Sequence, residues 1–273
     1  MTTISLALGA GGARGLAHIH VLRALEELGI RPVAVSGSSI GSIIGAAYCA
    51  GITSDELVAE IESGLDDPLG LLRDMTRINR ESFTSFFKKG GFRFGQLDLE
   101  RLLEGVLPDE FPRTFEELEI PLKVSATDYY GECANIFDEG DLRFAVAASS
   151  AIPGVFLPVK KDGRFFIDGN ATDPCPISVV HDLADHVVAV DVTGGATGDP
   201  TERPGLFDVN YVAGQLMQKS IVRTNAAKHP NTVLLRPPVD EFFALDFHKA
   251  REILDETEAL KEQAKTAIDA LMV

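Results

Sequence analysis

The hydrophobic residues of the chain fall into short runs rich in aliphatic and β-branched side chains, and longer mixed stretches separate these runs. Runs of this length are typical of buried strands. They lie at residues 4–8, 32–36, 122–127, 165–167, 187–192 and 233–235. Because helical patterns lie between most of them, the alternation predicts an α/β fold with a largely parallel central sheet.

The stretch between the first two runs has the clearest helical pattern. Its apolar residues recur at spacings of three and four from Ala17 to Leu28, and Gly29 follows where a glycine commonly ends a helix. Two more helices are predicted around residues 207–227 and 247–271. The glycines, prolines and charges of residues 193–205 predict an exposed loop.

Length and charge limit the domain organisation and the classes of partner. A chain of 273 residues has the length of one large α/β domain or two small ones. We expect a single domain over residues 1–273, with a small cap segment at 70–110. The chain has 41 acidic and 25 basic residues, a formal net charge of −16. This balance argues against a general nucleic-acid binder, which needs a basic surface to neutralise phosphates.

The cysteines and the N-terminus bear on the compartment. Cys49, Cys133 and Cys175 are widely spaced and contain no C-x-x-C pair, so neither a disulfide framework nor a zinc site is predicted. The start MTTISLAL lacks the basic region of a signal peptide, and no later segment has the length of a membrane span. We therefore expect a cytoplasmic protein.

A serine lies between two glycines after the second strand run. In VSGSSIGS the glycines are Gly37 and Gly41, and the central serine is Ser39. This G-x-S-x-G spacing is typical of a tight strand-to-helix turn that exposes a nucleophilic serine at a helix N-terminus, where the helix dipole favours an anion. Glycine-rich turns that bind nothing have the same pattern, so the motif alone leaves both interpretations open.

A second loop of small residues, LGAGGARG, follows the first strand run. Its backbone N–H groups could face the phosphates of a dinucleotide or the oxyanion of a tetrahedral intermediate. A dinucleotide fold requires an acidic residue at the end of the second strand, where this chain has SGSS. The neighbouring serine turn favours the oxyanion hole. Arg14 then either anchors the loop or contacts an anionic head group.

A serine nucleophile needs a base, and open α/β folds build their sites at the carboxyl edge of the sheet. Three aspartates follow strand runs, namely Asp128, Asp168 and Asp191. Spacing does not choose among them. The histidines are His18, His20, His181, His186, His229 and His248. His229 is the best placed of these for a serine–acid–histidine triad.

Four sequence blocks, taken in order, resemble the patatin-like phospholipases, in particular the bacterial branch similar to the catalytic domain of neuropathy target esterase. The blocks are LGAGGARGLAHIHVLRALEELGI, VSGSSIGSIIGAAYCAG, AVAASSAIPGVFLPV and FIDGNATDPCPI, spanning residues 8–177. DFHKAREILDE also resembles the family's closing helix. The resemblance implies a three-layer α/β/α fold that uses neither a metal nor an organic cofactor.

The resemblance also implies roles for individual residues. It implies a serine–aspartate dyad without histidine, with Ser39 as the nucleophile and Asp168 as the base. The implied oxyanion hole consists of the backbone amides of Ala10, Gly11, Gly12 and Ala13. The supporting motif residues are Arg14, Gly15, Gly37, Gly41 and Gly169. The chain departs from the family pattern at Ala10 and Asn170, where glycine is common, and at Pro174, where asparagine is frequent.

The function that the resemblance implies is hydrolysis of carboxylic ester bonds in phospholipids or lysophospholipids through an acyl-enzyme. A general carboxylesterase or acyltransferase of the same fold is an alternative. A catalytically silent lipid-binding regulator is another, and the intact Ser39, Asp168 and glycine loop argue against it.

Residues 77–96, RINRESFTSFFKKGGFRFGQ, are basic and rich in phenylalanine within an acidic chain. Their phenylalanines could line an acyl channel or touch a bilayer, with Lys88, Lys89 and Arg93 meeting anionic head groups. They could equally pack the core of the cap segment. The first interpretation predicts peripheral contact with the inner face of the membrane.

Overall fold

The structure, a computed structural model, describes residues 2–66 and 111–272. Eight strands in these residues form one sheet. They are β1 (Ile4–Leu8), β2 (Val35–Ser38), β3 (Leu122–Asp128), β4 (Cys133–Phe137), β5 (Val159–Lys161), β6 (Arg164–Asp168), β7 (His186–Val190) and β8 (Thr232–Leu235). The order is β5-β6-β3-β2-β1-β7-β8, and β4 also pairs with β3. The β8-β7-β1-β2-β3 part is parallel, whereas β4, β5 and β6 pair antiparallel.

Helices pack on both faces of this sheet. They are α1 (His18–Glu27), α2 (Ile40–Cys49), α3 (Ser54–Asp66), α4 (Leu142–Ser149), α5 (Leu206–Lys228), α6 (Ala250–Thr257) and α7 (Ala259–Asp269). Alternate residues of the strands point to opposite faces. In β7, Val188 and Val190 join the larger core with α1, α2, α4, α6 and α7, whereas Val187 and Ala189 pack against Val222 of α5. The predicted three-layer α/β/α architecture is therefore confirmed.

Each of the six predicted strands overlaps an observed one, but the sequence analysis missed β4 and β5. β4 is half-exposed and contains alanine and asparagine, and β5 is three residues long with two lysines, so neither has the pattern of a buried strand. β2 begins at Val35 rather than at residue 32.

The predicted helix over residues 247–271 is two helices that meet at Glu258. The Thr257 hydroxyl donates to the Ile253 carbonyl oxygen at 2.6 Å, and the Glu258 N–H reaches the Asp255 oxygen at 3.4 Å. A threonine side chain that bonds the preceding turn competes with the helical backbone pattern. The Glu258 dihedrals nevertheless stay helical, at φ −53° and ψ −38°.

One edge of β3 has two different neighbours along its length. β2 pairs with it up to Ser38, which lies opposite Ser125. β6 pairs from the next position onward, with Asp168 opposite Ala126. Because β4 occupies the other edge over 124–128, β2 and β6 must share this one. The C-terminal ends of β2 and β6 therefore meet on the same edge of β3.

Candidate active site

Ser39 forms the turn between β2 and α2 in a backbone conformation that few serines adopt. Its dihedrals are φ 54° and ψ −126°, which a side chain disfavours and which cluster at functional sites. Glycines make the turn possible. A Cβ at Gly37 would overlap the Gly41 carbonyl oxygen, and a Cβ at Gly41 would overlap the oxygen of Leu8. The turn therefore packs directly on the end of β1.

Hydrogen bonds hold the Ser39 backbone on both sides. Its N–H donates to Ser149 Oγ at 2.8 Å, and the Ser149 hydroxyl donates to the Ser125 carbonyl oxygen at 2.7 Å. The Ser39 carbonyl oxygen accepts the Ser42 hydroxyl at 2.6 Å. All of these serines are buried. This network fixes the strained turn without using the Ser39 hydroxyl.

The Ser39 hydroxyl donates to Asp168 Oδ2 at 2.7 Å. The shared edge of β3 explains how two residues 129 positions apart in the chain come together. The same juxtaposition requires a glycine after the aspartate, because a Cβ at Gly169 would overlap the Ser125 carbonyl oxygen and lie 2.5 Å from Ser38 Oγ.

Asp168 is fully buried and its recorded partners are neutral. Oδ1 accepts the Asn170 N–H at 2.8 Å, and Oδ2 accepts the Ser39 hydroxyl. Burial raises the pKa of Asp168 from 3.8 to about 7, and the two hydrogen bonds oppose only part of that rise. The carboxyl can therefore change its protonation near neutral pH.

The other two candidate aspartates are paired with arginines. Arg164 donates to Asp128 Oδ2 through Nε at 2.8 Å and Nη2 at 2.6 Å. Arg236 Nη2 lies 3.0 Å from Asp191 Oδ2, and Thr193 donates to Oδ1. Arg164 holds the pKa of Asp128 below its usual value. Of the three candidate aspartates, Asp168 is the one that the described structure places in a hydrogen bond with Ser39.

In the described part of the chain, no histidine is hydrogen-bonded to Ser39 or Asp168. His229 stacks on His181 with the ring centroids 4.2 Å apart, and His181 Nδ1 lies 2.9 Å from Asp182. His20 bonds the Leu254 carbonyl oxygen at 2.9 Å. The geometry offers no histidine for a triad among these residues.

The glycine loop follows β1 and lies against the Ser39 turn. A Cβ at Gly15 would overlap the Ile40 side chain at the start of α2. Two of the four amides that the sequence analysis assigned to the oxyanion hole already have partners. The Ala10 N–H donates to the Pro174 oxygen at 2.7 Å, and the Ala13 N–H donates to the Ala244 oxygen at 2.8 Å.

No partner among the described residues is recorded for the N–H groups of Gly11 and Gly12. Gly12 has φ +60°, and a Cβ there would overlap the Ala244 carbonyl oxygen. A glycine is therefore required at this position for two independent reasons, the dihedral angle and the close approach of residue 244. Of the four amides, those of Ala10 and Ala13 are occupied by protein acceptors, whereas no acceptor is recorded for those of the two central glycines among the described residues.

Arg14 orients one of these amides. It is 2% exposed, and its Nε donates to the Gly11 carbonyl oxygen at 3.0 Å. A trans peptide unit holds its C=O and the next N–H in opposite directions. Fixing the Gly11 carbonyl therefore fixes the direction of the Gly12 N–H. Of the two roles considered for Arg14, the contacts agree with the anchor of the loop.

His18 braces the loop in the same way, and the sequence analysis gave it no role. Its Nε2 donates to the Gly9 carbonyl oxygen at 2.8 Å, which orients the Ala10 N–H toward Pro174. Burial lowers the pKa of His18 to about 4, so the imidazole is neutral. The sequence signal for this role was a polar residue on the apolar face of the predicted helix.

The departures from the family pattern at Asn170 and Pro174 act through the backbone. The Asn170 N–H bonds Asp168, and the Pro174 carbonyl bonds the Ala10 N–H. Neither contact depends on the side chain. The substitutions are therefore compatible with the local hydrogen bonding around Asp168.

Two predictions lie wholly outside the described residues, namely the cap at 70–110 and the membrane contact through 77–96. Within 2–66 and 111–272, no three His, Cys, Asp or Glu side chains are grouped to hold a metal ion. None of the described helices has both the length and the apolar character needed to cross a bilayer.

A sequence model of the patatin-like phospholipases matches residues 6–181. The chain belongs to the patatin-like phospholipase family. A Mycobacterium tuberculosis relative, described as an uncharacterized NTE family protein, is 36% identical over 71% of this chain and 50% of its own length. Human patatin-like phospholipase domain-containing protein 6 is 29% identical over 93% of this chain and 19% of its own length.

Among solved structures, VipD from Legionella pneumophila aligns with a TM-score of 0.46 and 14% identity, over 96% of this chain and 67% of that one. The chain spans about half of its mycobacterial relative and about a fifth of its human one. The resemblance to patatin-like phospholipases, including NTE relatives, is thus confirmed. All residues of the Ser39 turn, the glycine loop and Asp168 lie inside the matched range.

Proposed function

We propose that the protein hydrolyses carboxylic ester bonds of phospholipids or lysophospholipids, with Ser39 as the nucleophile and Asp168 as its base. The observation that carries the proposal is the 2.7 Å hydrogen bond between the two side chains at a strained strand-to-helix turn. Membership of the patatin-like phospholipase family supports a lipid ester as the substrate.

In the first step Asp168 accepts the hydroxyl proton while Ser39 Oγ forms a bond to the ester carbonyl carbon. An aspartate with its usual pKa is a weak base at neutral pH. A pKa raised to about 7 suits a base that works there. Burial thus supplies the basicity that a triad would obtain from histidine.

Negative charge then develops on the former carbonyl oxygen. We assign the N–H groups of Gly11 and Gly12 as its donors, because they have no recorded partner while Ala10 and Ala13 bond the protein. The N-terminus of α2, directly after Ser39, favours the same charge. Donors fixed before the reaction stabilise the transition state without reorganisation.

Collapse of the tetrahedral intermediate breaks the ester C–O bond, and the departing alcohol oxygen takes the proton from Asp168. The fatty acyl group is then an ester of Ser39. Water attacks its carbonyl carbon and gives a proton to Asp168. The Ser39 oxygen recovers this proton as the fatty acid leaves, so that both residues return to their starting states.

Labelling with a fluorophosphonate tests the nucleophile directly. The wild type should form a covalent adduct on Ser39, and Ser39→Ala should form none. Ser36→Ala is the matched control, since Ser36 is a buried serine of β2 that bonds the Pro176 carbonyl oxygen. A folded Ser39→Ala protein that is still labelled, or still hydrolyses esters, contradicts the proposal.

Substrate class needs a second assay on the same proteins. Wild type and Ser39→Ala are compared on short p-nitrophenyl esters, lysophospholipids and phospholipid vesicles. Ser39-dependent release of fatty acid from the lipids supports the lipid substrate. Turnover of the short esters alone would favour a general carboxylesterase of the same fold.

A further inference from the structure

A cavity of about 340 Å³ lies between α5 and the loop after β7, outside the Ser39 site. This volume is at the lower end of the range for small-molecule sites. Lys219, Ser220, Arg223 and Thr224 of α5 line one wall. Residues four apart on a helix are neighbours, so the two cations lie on successive turns, and so do the two hydroxyls.

Lys219 is fixed at the cavity wall. Its side chain is 15% exposed, and its Nζ lies 3.1 Å from Asp240 Oδ1. A Cβ at Gly195 would lie 2.7 Å from that oxygen and 2.8 Å from Lys219 Nζ. The glycine therefore lets the backbone approach the ion pair closely. Since an ammonium group has three N–H donors, two remain for a ligand.

Arg223 is exposed at the cavity, and no hydrogen bond or ion pair joins it to another described residue. Its planar guanidinium matches the oxygens of a phosphate two at a time. Lys219, Arg223 and Asp240 together give the cavity a charge of +1, in a chain whose net charge is −16. The cavity is therefore a local cationic site on an acidic protein.

We propose that this cavity binds the phosphate group of a phosphate monoester. The remaining Lys219 donors, the Arg223 guanidinium and the hydroxyls of Ser220 and Thr224 outnumber what the two oxygens of a carboxylate can accept. A phosphate monoester offers three oxygens that carry its charge, whereas a phosphate diester offers two, and both hydroxyl and cationic donors are used to bind such groups.

The cavity is connected to the glycine loop through Arg14. A Cβ at Gly194, next to the cavity residue Gly195, would overlap Arg14 Nη1, and Arg14 Nε bonds the Gly11 oxygen. The phosphate monoester can therefore be the head group of a lipid that ends in phosphate, or a free phosphate monoester. The head-group source rests on the proposed function, whereas binding of a free phosphate ester does not.

Isothermal titration in phosphate-free buffer tests the site, with inorganic phosphate and glycerol 3-phosphate as the probes. Arg223→Gln should weaken binding roughly tenfold, because one charge-assisted bidentate contact is lost. Lys228→Gln, an equal charge change at an exposed position of α5 outside the cavity, should bind like wild type. The proposal is overturned if neither probe binds wild type, or if Arg223→Gln binds both probes as tightly.

Kinetics then identify the source of the phosphate. A higher KM of Arg223→Gln for lysophosphatidic acid, a lysophospholipid with a monoester phosphate, but not for a monoacylglycerol, assigns the site to the substrate head group. Unchanged KM values with weakened phosphate binding assign it to a free phosphate ester. Wild-type protein that hydrolyses neither lipid contradicts the proposed function, while the isothermal titration still tests whether the cavity binds phosphate.

Discussion

The short ladder between β3 and β6 carries an aspartate at each end, and the two have opposite surroundings. Asp128 accepts two hydrogen bonds from Arg164 and one from the Gly131 N–H. Asp168 is fully buried and bonds the Ser39 hydroxyl and the Asn170 N–H. Arg164 holds the pKa of Asp128 below its usual value, whereas burial raises the pKa of Asp168 to about 7.

The arginines of these two regions also differ in their partners. Arg164 neutralises a carboxylate, whereas Arg14 is buried against the Gly11 carbonyl oxygen, and its terminal nitrogen Nη1 has no hydrogen-bond partner within residues 2–66 and 111–272. The Asp128 region uses opposite charges to hold a turn. The Ser39 region leaves charged groups with neutral partners, which are the conditions that shift pKa values at functional sites.

The largest expected effect is the difference in kcat between Asp168→Asn and Asp128→Asn. Asp168→Asn should lower kcat on the order of 10⁴-fold, because the base is lost and the shape is kept. Asp128→Asn should keep kcat within about tenfold of wild type while lowering the melting temperature, since Arg164 keeps its bond to Asn135 but loses its carboxylate partner. Steady-state kinetics on a soluble ester and thermal melts measure the two effects.

The double mutant gives an independent check on the first variant. Ser39→Ala combined with Asp168→Asn should be little slower than Ser39→Ala alone, because residues that act as one unit are not additive. Two independent, multiplying losses would mean that Asp168 does not serve Ser39.

A methyl group in the glycine loop should have the next largest effect. Gly12→Ala should lower kcat about 10²- to 10³-fold, the usual effect of losing one oxyanion donor, because the new Cβ would overlap the Ala244 carbonyl oxygen. Gly29→Ala is the matched control. Gly29 has φ +65° with nothing within 4 Å of the added Cβ. Gly29→Ala therefore introduces the strain of a positive φ without a steric overlap.

Both variants should lose stability from the positive φ, Gly12→Ala more so because of its overlap with Ala244, and only Gly12→Ala should lose activity. If Gly12→Ala hydrolyses esters like Gly29→Ala, the oxyanion donors lie outside the Gly11–Gly12 peptide. Circular dichroism melts of both variants provide the stability half of this comparison.

The sequence predicted the parallel part of the sheet well, because buried strands such as β1 and β7 are continuous apolar runs. It also singled out Ser39 and Asp168 through the family resemblance. Spacing alone could not choose Asp168 over Asp128 and Asp191, because all three follow strand runs. β6 is antiparallel to β3. Asp168 meets Ser39 because the last residues of β2 and β6 pair with adjacent residues of β3, Ser125 and Ala126.

Features set by long-range contacts were beyond the sequence. The partners of the Ala10 and Ala13 amides come from residues 174 and 244, and no local pattern encodes such pairings. The two roles of Arg14 could not be separated for the same reason. Only its burial and its bond to Gly11 distinguish an anchor from a ligand contact.

The pH profile should report the raised pKa of Asp168. A base must be ionised to accept the Ser39 proton, so kcat/KM should rise about tenfold per pH unit up to pH 7 and level off above it. Asp128→Asn should leave this inflection unchanged, because its own pKa is shifted downward. An inflection near pH 4, or one that moves in Asp128→Asn, would contradict the assignment.

The smallest expected effect is the difference in kcat between Arg14→Gln and Arg164→Gln. Arg14→Gln should lower kcat about three- to tenfold, roughly 1 kcal/mol of barrier, because the Gly11 carbonyl loses its donor and the Gly12 N–H is no longer held in one direction. KM should change little, since Arg14 is buried and its recorded hydrogen bond is to the loop. Arg164→Gln should leave kcat unchanged and lower stability, because Asp128 is left nearly buried without its cation. A rise in KM with constant kcat in Arg14→Gln would instead identify Arg14 as a substrate contact, the role that its 3.0 Å bond to Gly11 argues against.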